Sequence, residues 1–180
     1  MSDVPRTLPA YDPKSFPGVL RALVDGGVEF VVCGGVACIM QGVNRTTADV
    51  DIAARLTTEN LSRLIEVVKK LGMMPRIPEP IAGLLDPVKR RDWVEKKGAT
   101  VYTLVWSDHP FQVDVFLQYP IDFDDLKARA NVLTWIDVEL LVSSRADLIA
   151  AKKIAGRTQD LSDIRELEKI IHDKSREQID

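Results

Sequence analysis

Histidine and cysteine are scarce in this sequence, two of each among 180 residues, and that scarcity removes whole classes of chemistry. His109 has no partner at ligand or triad spacing. Cys33 and Cys38 lie in or beside apolar runs, with no further Cys or His pair nearby to complete a zinc set. Two buried free thiols in a reducing cytoplasm are the expectation. No apolar run approaches the ~20 residues a membrane-spanning helix needs. The first residues, MSDVPRTLPAYDPKSF, lack the basic-then-apolar pattern of a secretory leader. Nor is there an excess of positive charge: the net charge of -3 argues against coating a nucleic acid with the whole surface. A soluble cytoplasmic protein with no membrane partner is expected.

What is present is an ordinary globular balance, 46% hydrophobic and 28% charged, in a chain long enough to bury a core without disulfides. Residues 1–14 read as a polar, proline-containing arm, 15–143 as a core and 144–180 as a C-terminal helical segment packed on it. Phe16, Val19, Leu20 and Leu23 share one helical face, stopped by Gly26-Gly27. Val28–Cys33 is a β-branched strand, followed by Gly34-Gly35 and a short helix ending near Gly42. Asp49–Ala53 forms the next strand, and Thr57 or Thr58 caps a helix striped with Leu61, Leu64, Ile65, Val68 and Leu71. Beyond Pro75, Pro78 and Pro80, a charged helix spans Asp86–Lys97, with Gly98 closing it. Thr100–Trp106 and Phe111–Leu117 predict an antiparallel strand pair. Asp122–Arg129 predicts a helix, and Val132–Val142 one or two strands. Helices over Ser144–Ala155 and Leu161–Ile171 flank a Gly156-Arg157 turn. The fold class is α/β (α+β), a mixed sheet flanked by helices.

The informative stretch is FVVCGGVACIMQGVNRTTADVDI, Phe30 to Ile52. Alternate residues of a strand share a face, so Asp49 and Asp51 project together while Val50 and Ile52 enter the core. Two such carboxylates repel unless cations lie between them, and magnesium with oxygen ligands resolves the conflict. A third acid, Asp114, stands between valines on an apolar strand, where a carboxylate is out of place unless it reaches a metal or polar site. If its strand pairs beside that of Asp49, the three acids can hold two metals ~3.5–4 Å apart. Gly34-Gly35 lets backbone N–H groups approach phosphate oxygens at a helix start.

These elements, Gly-Gly-x-Ala, Gly-x-x-Arg-x-Thr and Asp-Val-Asp-Ile, resemble the DNA polymerase β-like nucleotidyltransferase superfamily, most closely its AbiEii-like and DUF6036-type members. The tail AKKIAGRTQDLSDIREL, Ala151–Leu167, resembles a second block of that group. The resemblance implies a nucleotidyltransferase-like sheet, Mg2+ or Mn2+, and transfer of an NMP from an NTP to a hydroxyl. It implies Asp49, Asp51 and Asp114 as metal ligands, with Asp114 also base-like, and Gly34 and Gly35 as the phosphate loop. Lys152 aligns with a triphosphate-contacting lysine and Asp160 with the acid of the tail block. The acceptor classes it allows are tRNA, a protein side chain, or a small molecule such as an aminoglycoside or lincosamide. A toxin role with a cognate antitoxin belongs to the same resemblance. Gly35 and Gln41 stand where many relatives have Ser and His.

Plainer readings accompany each residue. Asp49 and Asp51 on an edge strand would face water, and Gly34-Gly35 would be only a tight turn. Lys152 is equally a solvated lysine near a helix end, and Asp160, just before the last helix, is well placed as its N-cap. Arg45 and Thr47 either steady the loop before Asp49 or touch phosphate. Lys89-Arg90-Arg91, interspersed with acids, reads as a solvated helix face. The competing function is a nucleotide-binding regulatory or antitoxin-like module with little turnover. A nuclease is weaker, since it leaves the glycine turn unexplained.

Overall fold

The computed structural model describes residues 12–177, with side chains through Asp173; all but the last three residues of the arm expected over 1–14 lie outside it. Among the described residues seven strands form one mixed sheet: β1 Phe30–Cys33, β2 Asp49–Ala54, β3 Met74–Pro75, β4 Val101–Trp106, β5 His109–Phe116, β6 Asn131–Trp135 and β7 Val138–Val142. Their order across the sheet is β3-β4-β5-β2-β1-β7-β6. The β4–β5 pair is antiparallel as expected, while β2 and β5 run parallel at the centre. Val132–Val142 resolves into two antiparallel strands. The two-residue β3, which the prolines concealed in the sequence, adds an edge against β4.

The helices are α1 Phe16–Asp25, α2 Gly34–Met40, α3 Thr58–Lys70, α4 Pro87–Lys97, α5 Phe123–Arg129, α6 Arg145–Ala155 and α7 Thr158–Glu177. Their ends follow local chemistry. Ser15, Thr57, Asp86, Asp122 and Ser144 each accept a hydrogen bond from a first-turn N–H. Gly98 and Gly156 end α4 and α6 in the left-handed conformation. Helix α7 starts three residues earlier than the apolar pattern suggests, because its first turn is built from polar residues. Within the described residues no helix is long and apolar enough to cross a membrane.

Strand parity divides the side chains between two faces. On one, Val32, Val50, Ile52, Leu104, Val113 and Val115 pack against Leu20 and Leu23 of α1, Leu64 and Val68 of α3 and Trp93 of α4. On the other, Val31, Cys33 and Ala53 meet Leu126 of α5 in a smaller layer. Asp49, Asp51 and Asp114 share the parity of Ala53 and Phe116, so they open onto this second face. Leu148 of α6 and Leu167 of α7 join the larger core, which fixes both helices beside the start of β2. Leu64 is fully buried and Glu66 on the same helix is exposed. Leu64→Ala is expected to lose about 2–5 kcal/mol in urea unfolding, while Glu66→Ala stays within about 0.5 kcal/mol.

Candidate active site

Register brings the acids together. In the parallel β2–β5 pair Asp51 lies directly opposite Asp114, and Asp49 opposite Gln112. Adjacent strands are about 4.8 Å apart, and carboxylate oxygens of Asp49, Asp51 and Asp114 all lie within 4.8 Å of one another. The edge-strand reading is excluded, since β2 sits between β1 and β5. Asp114 is buried; its Oδ2 accepts from the Gln112 side chain at 3.2 Å, and its Oδ1 is buried without a hydrogen-bond partner. Burial, then the charges of Asp49 and Asp114, pushes Asp51 up to about 6 from 3.8. Burial likewise raises Asp114, with Asp49 adding to it. An all-oxygen donor set with surplus negative charge and an orphaned oxygen suits magnesium or manganese rather than a thiolate-seeking metal.

Gly34 has φ 58, and a Cβ built there would overlap the Asp51 carboxylate. This is a close approach that only glycine allows. The Gly35 N–H donates to Asp51 Oδ2 at 3.4 Å. A Cβ on Gly35 would lie 2.6 Å from Thr47 Oγ1 and 3.1 Å from the Arg45 guanidinium. Thr47 in turn donates to Asp49 Oδ1. Both residues therefore steady the loop that enters β2, with Arg45 also lining the cleft.

The tail forms the opposite wall. Lys152 on α6 is buried, with Nζ 2.6 Å from Asp163 and 3.2 Å from Asp160. Burial alone would lower its pKa; Asp163 and then Asp160 outweigh that and leave it raised. The solvated-lysine reading is thus overturned by two carboxylates beneath it. Asp160 does not precede the last helix: it lies in the first turn of α7 and accepts from the Arg157 N–H at 3.1 Å. That is the reach-back half of a capping box, a role compatible with its ion pairs. Burial would raise the Asp160 carboxyl, but Arg157 and Lys152 hold it below the ordinary carboxylate range.

Two residues escaped the sequence reading. Asp163, 1% exposed, accepts from Arg45 at 2.5 Å and Lys152 at 2.6 Å, so it ties the β2 loop to the tail. Its signal was the helical spacing Asp160, Asp163, Leu167 on one face. Arg157, a turn residue by its sequence context, pairs with Asp160 and lines the cleft. That cleft, about 560 Å3, gathers Gly34, Gly35, Arg45, Asp49, Asp51, Asp114, Lys152, Arg157 and Asp160 around an apolar flank including Phe116, Tyr119, Leu148 and Ile154.

The Lys89-Arg90-Arg91 cluster has no part in it. Arg90 donates to the Leu84 and Leu56 carbonyls and serves the packing of α4. Both cysteines are buried free thiols.

No protein-family model matches the chain, and no curated protein matches it by sequence. Solved structures share its fold. The antibiotic-resistance factor ANT(2'')-Ia in solution aligns with TM-score 0.55 at 13% identity, over 89% of this chain and 90% of its own. The same factor in complex with adenylyl-2''-tobramycin gives 0.55 at 14%, over 88% and 94%. The lincosamide antibiotic adenylyltransferase LnuA, lincomycin-bound, gives 0.54 at 13%, over 84% and 93%. The chain therefore shares the mixed α/β architecture of these solved structures.

Two expectations test this geometry. Because the folded Asp51 pKa lies above its ordinary value, the native state holds the proton more tightly than the unfolded chain. Its stabilising contribution is full below about pH 4 and lost as pH rises through about 6. Melting of the metal-free protein should show that downward slope, and Asp51→Asn should make it shallower, leaving the part due to Asp114. Asp163→Ala, which leaves Arg45 and Lys152 without their shared anion, should cost about 3–5 kcal/mol in denaturant unfolding.

Proposed function

We propose that this protein is a magnesium-dependent nucleotidyltransferase, moving an NMP from an NTP to an acceptor hydroxyl. The observation that carries the reading is the approach of three carboxylates, two half-buried and one buried, to within 4.8 Å beside a positive-φ glycine. A retired domain has no reason to keep that repulsion. Bound by Asp49, Asp51 and Asp114, Mg2+ (or Mn2+) would supply charge neutralisation and Lewis acidity toward an NTP.

The chain's own groups divide the remaining work. Thr47 fixes the Asp49 carboxylate, and Gln112 fixes that of Asp114. Asp114, buried on the same sheet face as Asp49 and Asp51, takes the proton of the acceptor hydroxyl. The hydroxyl oxygen bonds to the α-phosphorus as the bond to the β-phosphate's bridging oxygen breaks, and pyrophosphate leaves. The Gly34-Gly35 turn lets the β- and γ-phosphates approach the backbone closely. Arg45 and Lys152, anchored by Asp163 with Asp160 beside it, add a fixed positive field that opposes charge developing on pyrophosphate.

The acceptor follows from two lines of support. LnuA and ANT(2'')-Ia are described with lincomycin and adenylylated tobramycin, which supports a small-molecule hydroxyl. The AbiEii-like sequence blocks support tRNA or a protein side chain, with a toxin role and a cognate antitoxin. Incubation with each α-labelled NTP, magnesium and separate pools of small molecules, RNA and protein decides among them. Label should enter one pool with release of pyrophosphate, falling roughly 100-fold or more in Asp49→Ala and Asp51→Ala. Equal labelling by wild type and variants would remove the metal-pair assignment. Magnesium-dependent NTP binding without pyrophosphate release in any pool would instead support the regulatory module.

A further inference from the structure

Among the cations of the tail, Lys152 is the one the sequence singles out, and the structure leaves it little freedom. It is 6% exposed and already bonded to two buried carboxylates. Arg45, its side chain 16% exposed, is held by Asp163 and by the Thr46 carbonyl. Arg157 is different. Its side chain is 76% exposed, and it stands at the mouth of the cleft on the corner between α6 and α7. Three cations, Arg45, Lys152 and Arg157, face two anions, Asp160 and Asp163, so one positive charge is left over. Arg157 pairs with Asp160 as well, but from the exposed side, so it is the cation whose further N–H donors face the open cleft.

We propose that Arg157 is the residue that grips the triphosphate, with Lys152 and Asp160 beneath it setting its position. This rests on the nucleotidyl-transfer reading above and adds a phosphate-binding residue to it. The guanidinium hydrogen-bonds Asp160 through Nε at 2.7 Å and through a terminal nitrogen at 3.3 Å. Its remaining N–H donors are available for phosphate oxygens, a match of planar fork to tetrahedral anion that a lysine reproduces only as a point charge. The hydrogen bond it donates to Asp160, then the charges of Asp160, Asp51 and Asp49, all favour its charged form. Arg157 thus lines the same cleft as Asp49 and Asp51 while it is bonded to Asp160 of α7. Before nucleotide arrives it partly balances those acids. A metal–triphosphate complex brings cations to the acids and anions to Arg157, so each charge then meets its partner.

This arrangement makes an unusual pair of expectations, readable by calorimetry without turnover. The probes are Mn2+ alone and magnesium tripolyphosphate, which carries the phosphate chain without a base. Arg157→Gln should weaken tripolyphosphate binding roughly 10- to 100-fold, the strength of a charge-assisted hydrogen bond, while Mn2+ alone binds as well as to wild type or better. Arg157→Lys should recover part of the lost affinity. A merely structural role through Asp160 predicts otherwise: Mn2+ and tripolyphosphate affinities would fall together, and that result overturns the proposal. Unchanged tripolyphosphate binding in Arg157→Gln overturns it as well. If wild type binds Mn2+ but neither tripolyphosphate nor any magnesium-NTP, the nucleotidyl-transfer reading fails first and takes this inference with it.

Discussion

Like charges held close by a hydrogen-bonded register are the constraint on which the rest of this molecule turns. Asp51 and Asp114 face each other because β2 and β5 pair in parallel, and Asp49 follows two residues away on the same face. Two buried strands keep that spacing whatever the carboxylates prefer. The surrounding apolar contacts, Val50 and Ile52 against Val113 and Val115, hold the strands in place. A sheet core stable enough to tolerate the repulsion is thus a condition for having the site at all. That repulsion is what a divalent cation among the three acids would relieve.

The positive side of the cleft is built by opposite means. The acids crowd together on strands, whereas the cations come from three separate places: the loop before β2, the body of α6 and the corner leading into α7. Asp163 joins two of them through bonds to Arg45 and Lys152. The C-terminal helices are therefore connected to the acid-bearing strand by ion pairs as well as by Leu148 and Leu167 in the core. Buried ion pairs of this kind add little net stability but define one geometry, because every alternative leaves a desolvated charge unpaired. The exposed end of that network is Arg157, its guanidinium bonded to the buried Asp160 at the edge of the cleft.

Much of the fold was legible because its elements carry local signatures. Val19, Leu20 and Leu23 mark a helix face, Asp86 and Gly98 bracket α4, and the alternation of Asp49-Val50-Asp51-Ile52 marks a strand with one wet face. The Gly34-Gly35 turn and the spaced acids suggested a phosphate and metal site for reasons of chemistry alone. Errors fell where polar residues carry the structure. Thr158-Gln159-Asp160 offers no apolar period, so the sequence pattern starts α7 at Leu161 and leaves Asp160 as a cap before it, whereas the helix begins at Thr158. Lys152 looked ambiguous because a lysine's burial depends on what lies beneath it, and Asp163 is eleven residues away. Arg157 looked like turn punctuation for the same reason.

The sequence by itself determined which residues could do chemistry: an acidic pair on one strand face, a third acid among valines, and glycines where a backbone must come close. Those are consequences of side-chain alternation and of glycine's missing Cβ, both local properties. Tertiary structure alone decided that Asp114 stands opposite Asp51, that Lys152 is buried between two carboxylates, and that Arg157 bonds Asp160 at the exposed edge of the cleft. Strand pairing and ion-pair partnership join residues distant along the chain, and an electrostatic balance exists only once those residues share one space.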